Sequence, residues 1–236
     1  MPAEEATMVN TSLIFSGGPP PNDATLNIVR AITDVNLIIA ADSGLHTAQK
    51  LNLKVDAVIG DLDSVSESAL ARASSEGTQI IRHNRDKDFT DLNSALLYAA
   101  EHESQKIVVV TAGGGRLDHQ FGVLAAMFNP TLAKIDVEAI WNDSQLFALQ
   151  GPKRLTFSTN IGDLVGIQSF SDISKKITTT GLSWPLKGEQ LTNHETRGVS
   201  NEATELEVSI SLETGQLLIT RQLITRQLVQ KNQTVK

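Results

Sequence analysis

Over roughly the first 140 residues, short apolar runs alternate with helical patterns. Ser12–Phe15, Leu37–Ala41, Ala57–Ile59, Gln79–Arg82, Ile107–Val110 and Ile135–Ile140 read as six strands. Between them fall a helix capped by Asn22 or Asp23 and running to about Thr33, a short helix at Gly44–Leu51, one begun by Ser66, one at Thr90–Glu103, and one after His119. In Thr90–Glu103 the apolar residues Leu92, Ala95, Leu96 and Ala99 recur at helical spacing. Parallel strands need crossover connections, so this alternation predicts a parallel sheet with helices on its faces.

The pattern changes near Asp143–Gln150. From about Ser144 onward the strand-like segments are Leu146–Leu149, Arg154–Phe157, Leu164–Phe170, Ile173–Thr180, Glu205–Leu212 and Gln216–Thr220. Turn signals at Gly151-Pro152, Asn160–Asp163 and Thr214-Gly215 separate several of them. Many short strands at that spacing predict a small antiparallel sandwich. The expected division is therefore an α/β domain over residues 1–145 and a β-sandwich over 146–236. Leu218–Gln222 and Leu223–Gln227 repeat the same five residues, LITRQ. An odd period reverses the facing of a strand, so the two copies cannot present the same face.

With 20 Lys+Arg against 27 Asp+Glu, the 236-residue chain has a formal net charge of −7. That balance lacks the basic footprint that phosphate-backbone binding needs, so a nucleic-acid partner is not expected. No cysteine is present, which excludes disulfides, thiolate metal sites and cysteine nucleophiles and fits a cytoplasmic protein. Apolar runs such as Leu37–Ala41 and Ile107–Val110 are far too short to span a membrane. Met1–Thr11 carries two Glu and no basic region, unlike a signal peptide, and reads as a frayed tail.

Four polar clusters follow predicted strands: Asp42-Ser43-Gly44, Gly60–Ser64, Asp86–Asp91 and Gly113–His119. In open α/β sheets, ligands bind outside the carboxyl ends of the strands, so the four converge on one crevice. Each taken singly also suits a turn or a helix cap; their joint occurrence is what points to a site. Asp42, Asp61, Asp63, Asp86, Asp88, Asp91 and Asp118 would crowd up to seven carboxylates on one edge. Such crowding calls for a cation, and hard oxygen ligands favour Mg²⁺. Asp61 and Asp63 alternate along an extended segment, so a twist is needed to aim both at one ion. Lys87 and Arg116 offer cations for phosphate oxygens, and Gly113, Gly114 and Gly115 permit close backbone approach ahead of a helix N-terminus. The glycines lack the Gly-Lys-Ser/Thr ending of the common P-loop. His119 beside Asp118 either bonds phosphate or orients its neighbour; His46, His83, His102 and His194 show no ligand spacing. Together these elements read as metal-assisted phosphoryl chemistry on a nucleotide. In the second region, Gly181–Leu186 and Thr196–Glu202 stand out, with Trp184 able to stack on a flat or cationic ring and Ser200 and Asn201 able to hydrogen-bond. On composition alone, sandwich core for Trp184 and a turn for the Ser-Asn pair are the favoured readings.

The segments Ala41–Gly44, Gly60–Ser64, Lys87–Asp91, Gly114–His119, Gly181–Leu186 and Gly198–Asn201 resemble, in order and spacing, the motifs of the thiamine pyrophosphokinase family. Ser43 stands where that family usually has the first glycine after the Asp, and Thr111 where a glycine often opens the fourth motif. The resemblance implies a Rossmann-like ATP-binding domain, a thiamine-binding β-sandwich, and a homodimer with the site built across its interface. It implies Mg²⁺ held by Asp61, Asp63 and Asp91. Gly113, Gly114, Gly115, Arg116, His119, Asp86 and Asp88 would bind the nucleotide, and Lys87 and Arg116 would neutralise phosphate charge. Asp42 and Asp118 would lie beside the reacting groups, one of them helping to deprotonate the thiamine hydroxyl, and Trp184, Ser200 and Asn201 would contact thiamine. The competing readings are another Mg²⁺-dependent phosphotransferase or phosphohydrolase, and a non-catalytic sensor on the same scaffold.

Overall fold

A computed structural model describes residues 9–84, 86 and 88–222. The chain divides into two compact units, Met1–Asn142 and Asp143–Lys236.

The first unit contains β1 (Thr11–Phe15), α1 (Asp23–Arg30), β2 (Val35–Ala41), α2 (Gly44–Lys50), β3 (Ala57–Gly60), α3 (Glu67–Ser75), β4 (Gln79–Arg82), α4 (Asp91–Glu101), β5 (Lys106–Thr111), α5 (Leu117–Met127), a 3₁₀ turn at Pro130–Leu132, and β6 (Asp136–Trp141). Its strands lie in the order β6-β5-β1-β2-β3-β4 and all pair in parallel. β1, β3 and nearly all of β5 are buried, as a sheet covered on both faces requires. Leu13, Phe15, Ala40, Val58, Val108 and Val110 pack with Leu26 and Val29 of α1, Leu45 and Ala48 of α2, and Ala69 and Ala73 of α3. Buried Leu92, Ala95, Leu96 and Ala99 form the inner face of α4, at the spacing the sequence predicts.

Helix starts are set by local chemistry. Asn22, not Asp23, caps α1, its side chain accepting the Thr25 N–H at 2.8 Å. Ser66 and Thr90 cap α3 and α4 in the same way. α5 begins at Leu117, so Asp118 and His119 lie in its first turn rather than ahead of it. The Asp118 carboxylate accepts the His119 N–H there, an arrangement suited to the positive end of a helix. Thr11, expected in the frayed tail, is buried in β1 and its N–H donates to Asn36 Oδ1.

The second unit contains β7 (Ser144–Gln150), β8 (Lys153–Ser158), β9 (Leu164–Ser169), β10 (Ile173–Thr180), β11 (Lys187–Thr192), β12 (Asn201–Glu202), β13 (Glu207–Leu212) and β14 (Gln216–Gln222). They form two antiparallel layers, β12-β9-β14-β7 and β11-β10-β13-β8. Phe147, Leu149, Val165, Ile167, Leu217 and Ile219 from one layer pack against Phe157, Ile177, Leu191, Val208, Ile210 and Leu212 from the other. β11 and β12 are absent from the sequence reading because β11 is polar apart from Leu191 and β12 is two residues long. Leu218–Gln222 lies in β14, where Arg221 forms an ion pair with the buried Asp163. The second copy of the repeat, Leu223–Gln227, lies outside the described residues.

Candidate active site

Strand order reverses at β1, whose neighbours are β2 and β5. At such a switch point the loops after adjacent strands diverge and leave a crevice. A cavity of about 340 Å³ opens there. It is lined by Ser16–Pro19 after β1, by Asp42 and Ser43 after β2, by Gly113–Arg116 after β5, and by Ser64, Asp91, His119 and Trp141 among others. Two of these groups lie outside the four polar clusters, yet each has a signal in the sequence: Gly17-Gly18 is a glycine pair directly after the first strand, and Trp141 ends the sixth.

Three carboxylates come together: one oxygen each from Asp42, Asp61 and Asp63 lies within 4.8 Å of the others. The twist that Asp61 and Asp63 require is supplied by Leu62, which adopts φ +63° between them. That left-handed backbone costs a residue bearing a Cβ about 1–2 kcal/mol. The Leu62 side chain, 4% exposed and packed in the core, holds the conformation in place. Asp61 accepts the Asp63 N–H at 3.1 Å, and Asp63 accepts the Ser64 hydroxyl at 3.0 Å. Asp42 also has positive φ, +47°, and its N–H donates to the Ile59 carbonyl at 2.9 Å. Among the described residues, its buried Oδ1 has no hydrogen-bond partner. A buried carboxylate oxygen without a donor is costly, and a cation answers it. This orphaned atom and the hard-oxygen trio fit Mg²⁺.

Asp91, the third metal ligand implied by the family resemblance, is not in that trio. It sits in the first turn of α4. A Cβ on Gly60 would lie 3.1 Å from Asp91 Cγ and 3.3 Å from Asp42 Cβ, so glycine at 60 is what lets both carboxyl groups approach one backbone. Asp86 and Asp88 are exposed on the loop before α4 and are not among the described residues lining the cavity. Lys87 lies outside the described residues.

Gly113, Gly114 and Gly115 have φ of +62°, +74° and +67°, which only glycine adopts freely three times in succession. At Gly113 there is also no room: an added Cβ would fall 1.9 Å from Trp141 Nε1. Arg116 binds Asp118 with both ends of its guanidinium, Nε at 3.1 Å from Oδ1 and Nη2 at 2.5 Å from Oδ2. The Arg116 hydrogen bond holds the Asp118 carboxyl below the ordinary carboxylate range, and the same bond raises the Arg116 guanidinium. The pair is exposed, Arg116 lining the cavity and Asp118 orienting it.

Both departures from the family pattern bind a glycine loop. Ser43 has ordinary helical φ, so glycine is not needed, and its Oγ accepts the Gly18 N–H at 3.2 Å. The buried Thr111 Oγ1 accepts the Gly113 N–H at 3.2 Å.

In the second unit, Trp184, Ser200 and Asn201 line one cavity of about 520 Å³, with Ile167, Pro185 and Val199. Trp184 is 65% exposed, so it is not sandwich core. Ser200 is exposed at φ +58°. Asn201 is buried, with its amide engaged by the Trp184 backbone.

Two family models match the chain: the thiamin pyrophosphokinase catalytic domain over residues 29–139 and the thiamin pyrophosphokinase vitamin B1 binding domain over residues 153–217. Among curated relatives, thiamine pyrophosphokinase of Bacillus subtilis is 26% identical over 90% of this chain and 99% of its own length. Thiamine pyrophosphokinase 1 of rice is 27% identical over 69% of this chain and 64% of its own length, so the chain spans just under two thirds of that relative. The crystal structure of the Bacillus subtilis protein shares the fold with a TM-score of 0.78 at 24% identity, covering 92% of this chain and all of that one. Thiamin pyrophosphokinase from Candida albicans does so at 0.76 and 15% identity, covering 92% and 90%. The two matched domains together span well over half of the chain, in the order of its two units, and the chain belongs to the thiamine pyrophosphokinase family.

Proposed function

We propose that the chain transfers the pyrophosphoryl group of ATP to the hydroxyl of thiamine, giving thiamine pyrophosphate and AMP. The observation that carries this reading is the Asp42, Asp61 and Asp63 trio, with its orphaned Asp42 oxygen, beside a glycine-lined cavity at the switch point of the sheet. The thiamine hydroxyl oxygen attacks the β-phosphorus in line. The bond from that phosphorus to the α-phosphate oxygen breaks, AMP leaves, and one proton is released. Phosphoryl transfer of this kind asks for positioning and charge neutralisation more than for covalent help from the protein.

Asp42, Asp61 and Asp63 would hold Mg²⁺, with Asp91 beside them; the cation supplies neutralisation of charge on the phosphate oxygens. Gly113–Gly115 offer backbone to the phosphates. Arg116, steadied by Asp118, meets their negative charge, with Lys87 joining it on the family resemblance alone. The second-unit cavity takes thiamine, whose cationic thiazolium suits the exposed Trp184 indole. No helix among the described residues is long and apolar enough to cross a membrane. A homodimer, on the resemblance alone, in the cytoplasm, which the absence of cysteine fits, completes this reading.

The test is AMP formation from Mg-ATP with and without thiamine. AMP and thiamine pyrophosphate in equal amounts, only when thiamine is present, is the expected result. ADP, or nucleotide breakdown independent of thiamine, would replace this reading with a general phosphotransferase or phosphohydrolase.

A further inference from the structure

Trp141 ends β6, paired in register with Thr111 of β5, which places it at the same carboxyl edge as the acidic clusters. It is half-buried and lines the first-unit cavity. The edge of its indole that carries Nε1, Cδ1 and Cε2 lies against Gly113, so the ring is held by the glycine loop. Pro19 lies against the other end of that loop, within 3.8 Å of where a Cβ on Gly115 would stand. The cavity thus has lining residues of two kinds. Asp42, Asp91, Ser64 and Arg116 suit a cation and phosphates, whereas Trp141, Pro19 and Val123 are apolar.

A nucleoside triphosphate has the same two parts: a charged chain that needs cations and donors, and a flat heteroaromatic base that gains by stacking. We propose that Trp141 is the residue of this chain that receives the base, its indole forming the wall on which the purine stacks. Base–aromatic stacking is strong enough to decide affinity by about tenfold, and it tolerates any base because every base has a π-face. Trp141 therefore contributes nucleotide affinity with little discrimination between purines. The proposal rests on the first-unit cavity being the ATP site.

The chain has two tryptophans, so Trp184→Phe leaves Trp141 as the sole indole reporter. This variant is titrated without thiamine, once with Mg-ATP and once with Mg-tripolyphosphate, which has phosphates and no base. A saturable change in emission with ATP and none with tripolyphosphate is expected. Calorimetry on Trp141→Ala should show ATP affinity weakened about tenfold with tripolyphosphate affinity unchanged, and Trp141→Phe, which keeps a ring, should recover most of the loss. ATP binding by calorimetry with silent Trp141 fluorescence would overturn the proposal, as would equal weakening of ATP and tripolyphosphate. Absence of ATP binding to the unaltered chain would instead remove the nucleotide reading itself, and this proposal with it.

Discussion

The side-chain amide of Asn201 holds the backbone of Trp184 on both sides: Oδ1 accepts the Trp184 N–H at 3.0 Å, and Nδ2 donates to the Trp184 carbonyl at 2.8 Å. The same Oδ1 also accepts the Glu202 N–H at 2.9 Å. With both lone-pair directions used and the residue 4% exposed, Asn201 acts by fixing Trp184. Asn201→Ala leaves two backbone N–H groups without their acceptor, costing about 2 kcal/mol or more, or roughly 4–8 °C in melting temperature. Because the loss falls on the Trp184 loop, KM for thiamine should rise while KM for ATP stays unchanged. A lower melting temperature with both KM values unchanged would reduce Asn201 to a structural role.

The proposed Mg²⁺ site at the carboxylate trio predicts an effect on stability as well as on turnover. Asp42, Asp61 and Asp63 repel one another until a cation is present. A ligand that binds only the folded state stabilises it by about 2.7 kcal/mol at a hundred times its dissociation constant. The melting temperature should therefore climb by roughly 5–10 °C with saturating Mg²⁺. In Asp61→Asn and Asp63→Asn most of that rise should vanish, and without Mg²⁺ both should melt at or above the unaltered chain. Turnover should fall by about a hundredfold or more in each. A full Mg²⁺-induced rise in either variant would remove that residue from the cation site.

Asp118 is held in its charged form by a neighbouring cation. Its carboxyl is held below the usual value of 3.8 by the Arg116 hydrogen bond, so the pair is complete at neutral pH. A group with a depressed folded pKa contributes above its unfolded value and loses that contribution as pH falls through the folded value, here below 3.8. No inflection between about pH 6 and 9 should therefore come from Asp118. Asp118→Asn should retain the shape of the kcat/KM profile across that range and lose less turnover than Asp42→Asn. Loss of a limb of the profile in Asp118→Asn would make Asp118 the base.

Much of this was legible because local and global signals agree. The alternation of apolar runs with capped helices fixes a parallel sheet, and ligands gather at the carboxyl ends of such strands, so acidic clusters after consecutive strands could be read as one site. What escaped depends on backbone conformation and on contacts distant in sequence. Nothing in Asp61-Leu62-Asp63 announces that Leu62 takes a left-handed φ, yet that turn is what brings both carboxylates to Asp42. Trp141 draws its meaning from Gly113, a residue on the neighbouring strand's loop. Lys187–Thr192 carries one core residue, too few to show a strand period.

Ser43 and Thr111 give the last expectation, because each replaces a glycine of the family pattern with a side chain that binds a loop. Ser43 Oγ accepts from Gly18 in the loop after β1, and Thr111 Oγ1 accepts from Gly113 in the loop after β5. These two loops flank the switch point, so the pair pre-orders both sides of the cavity. A neutral hydrogen bond contributes about 0.5–1.5 kcal/mol net, and loops already ordered lose less entropy when a ligand arrives. Ser43→Ala and the nearly isosteric Thr111→Val should each raise KM for ATP about threefold, and together about tenfold, with kcat nearly unchanged. KM for thiamine should not move, since neither side chain belongs to the second unit. A fall in kcat with constant KM would mean that the two hydroxyls act on the reacting groups and not through the loops.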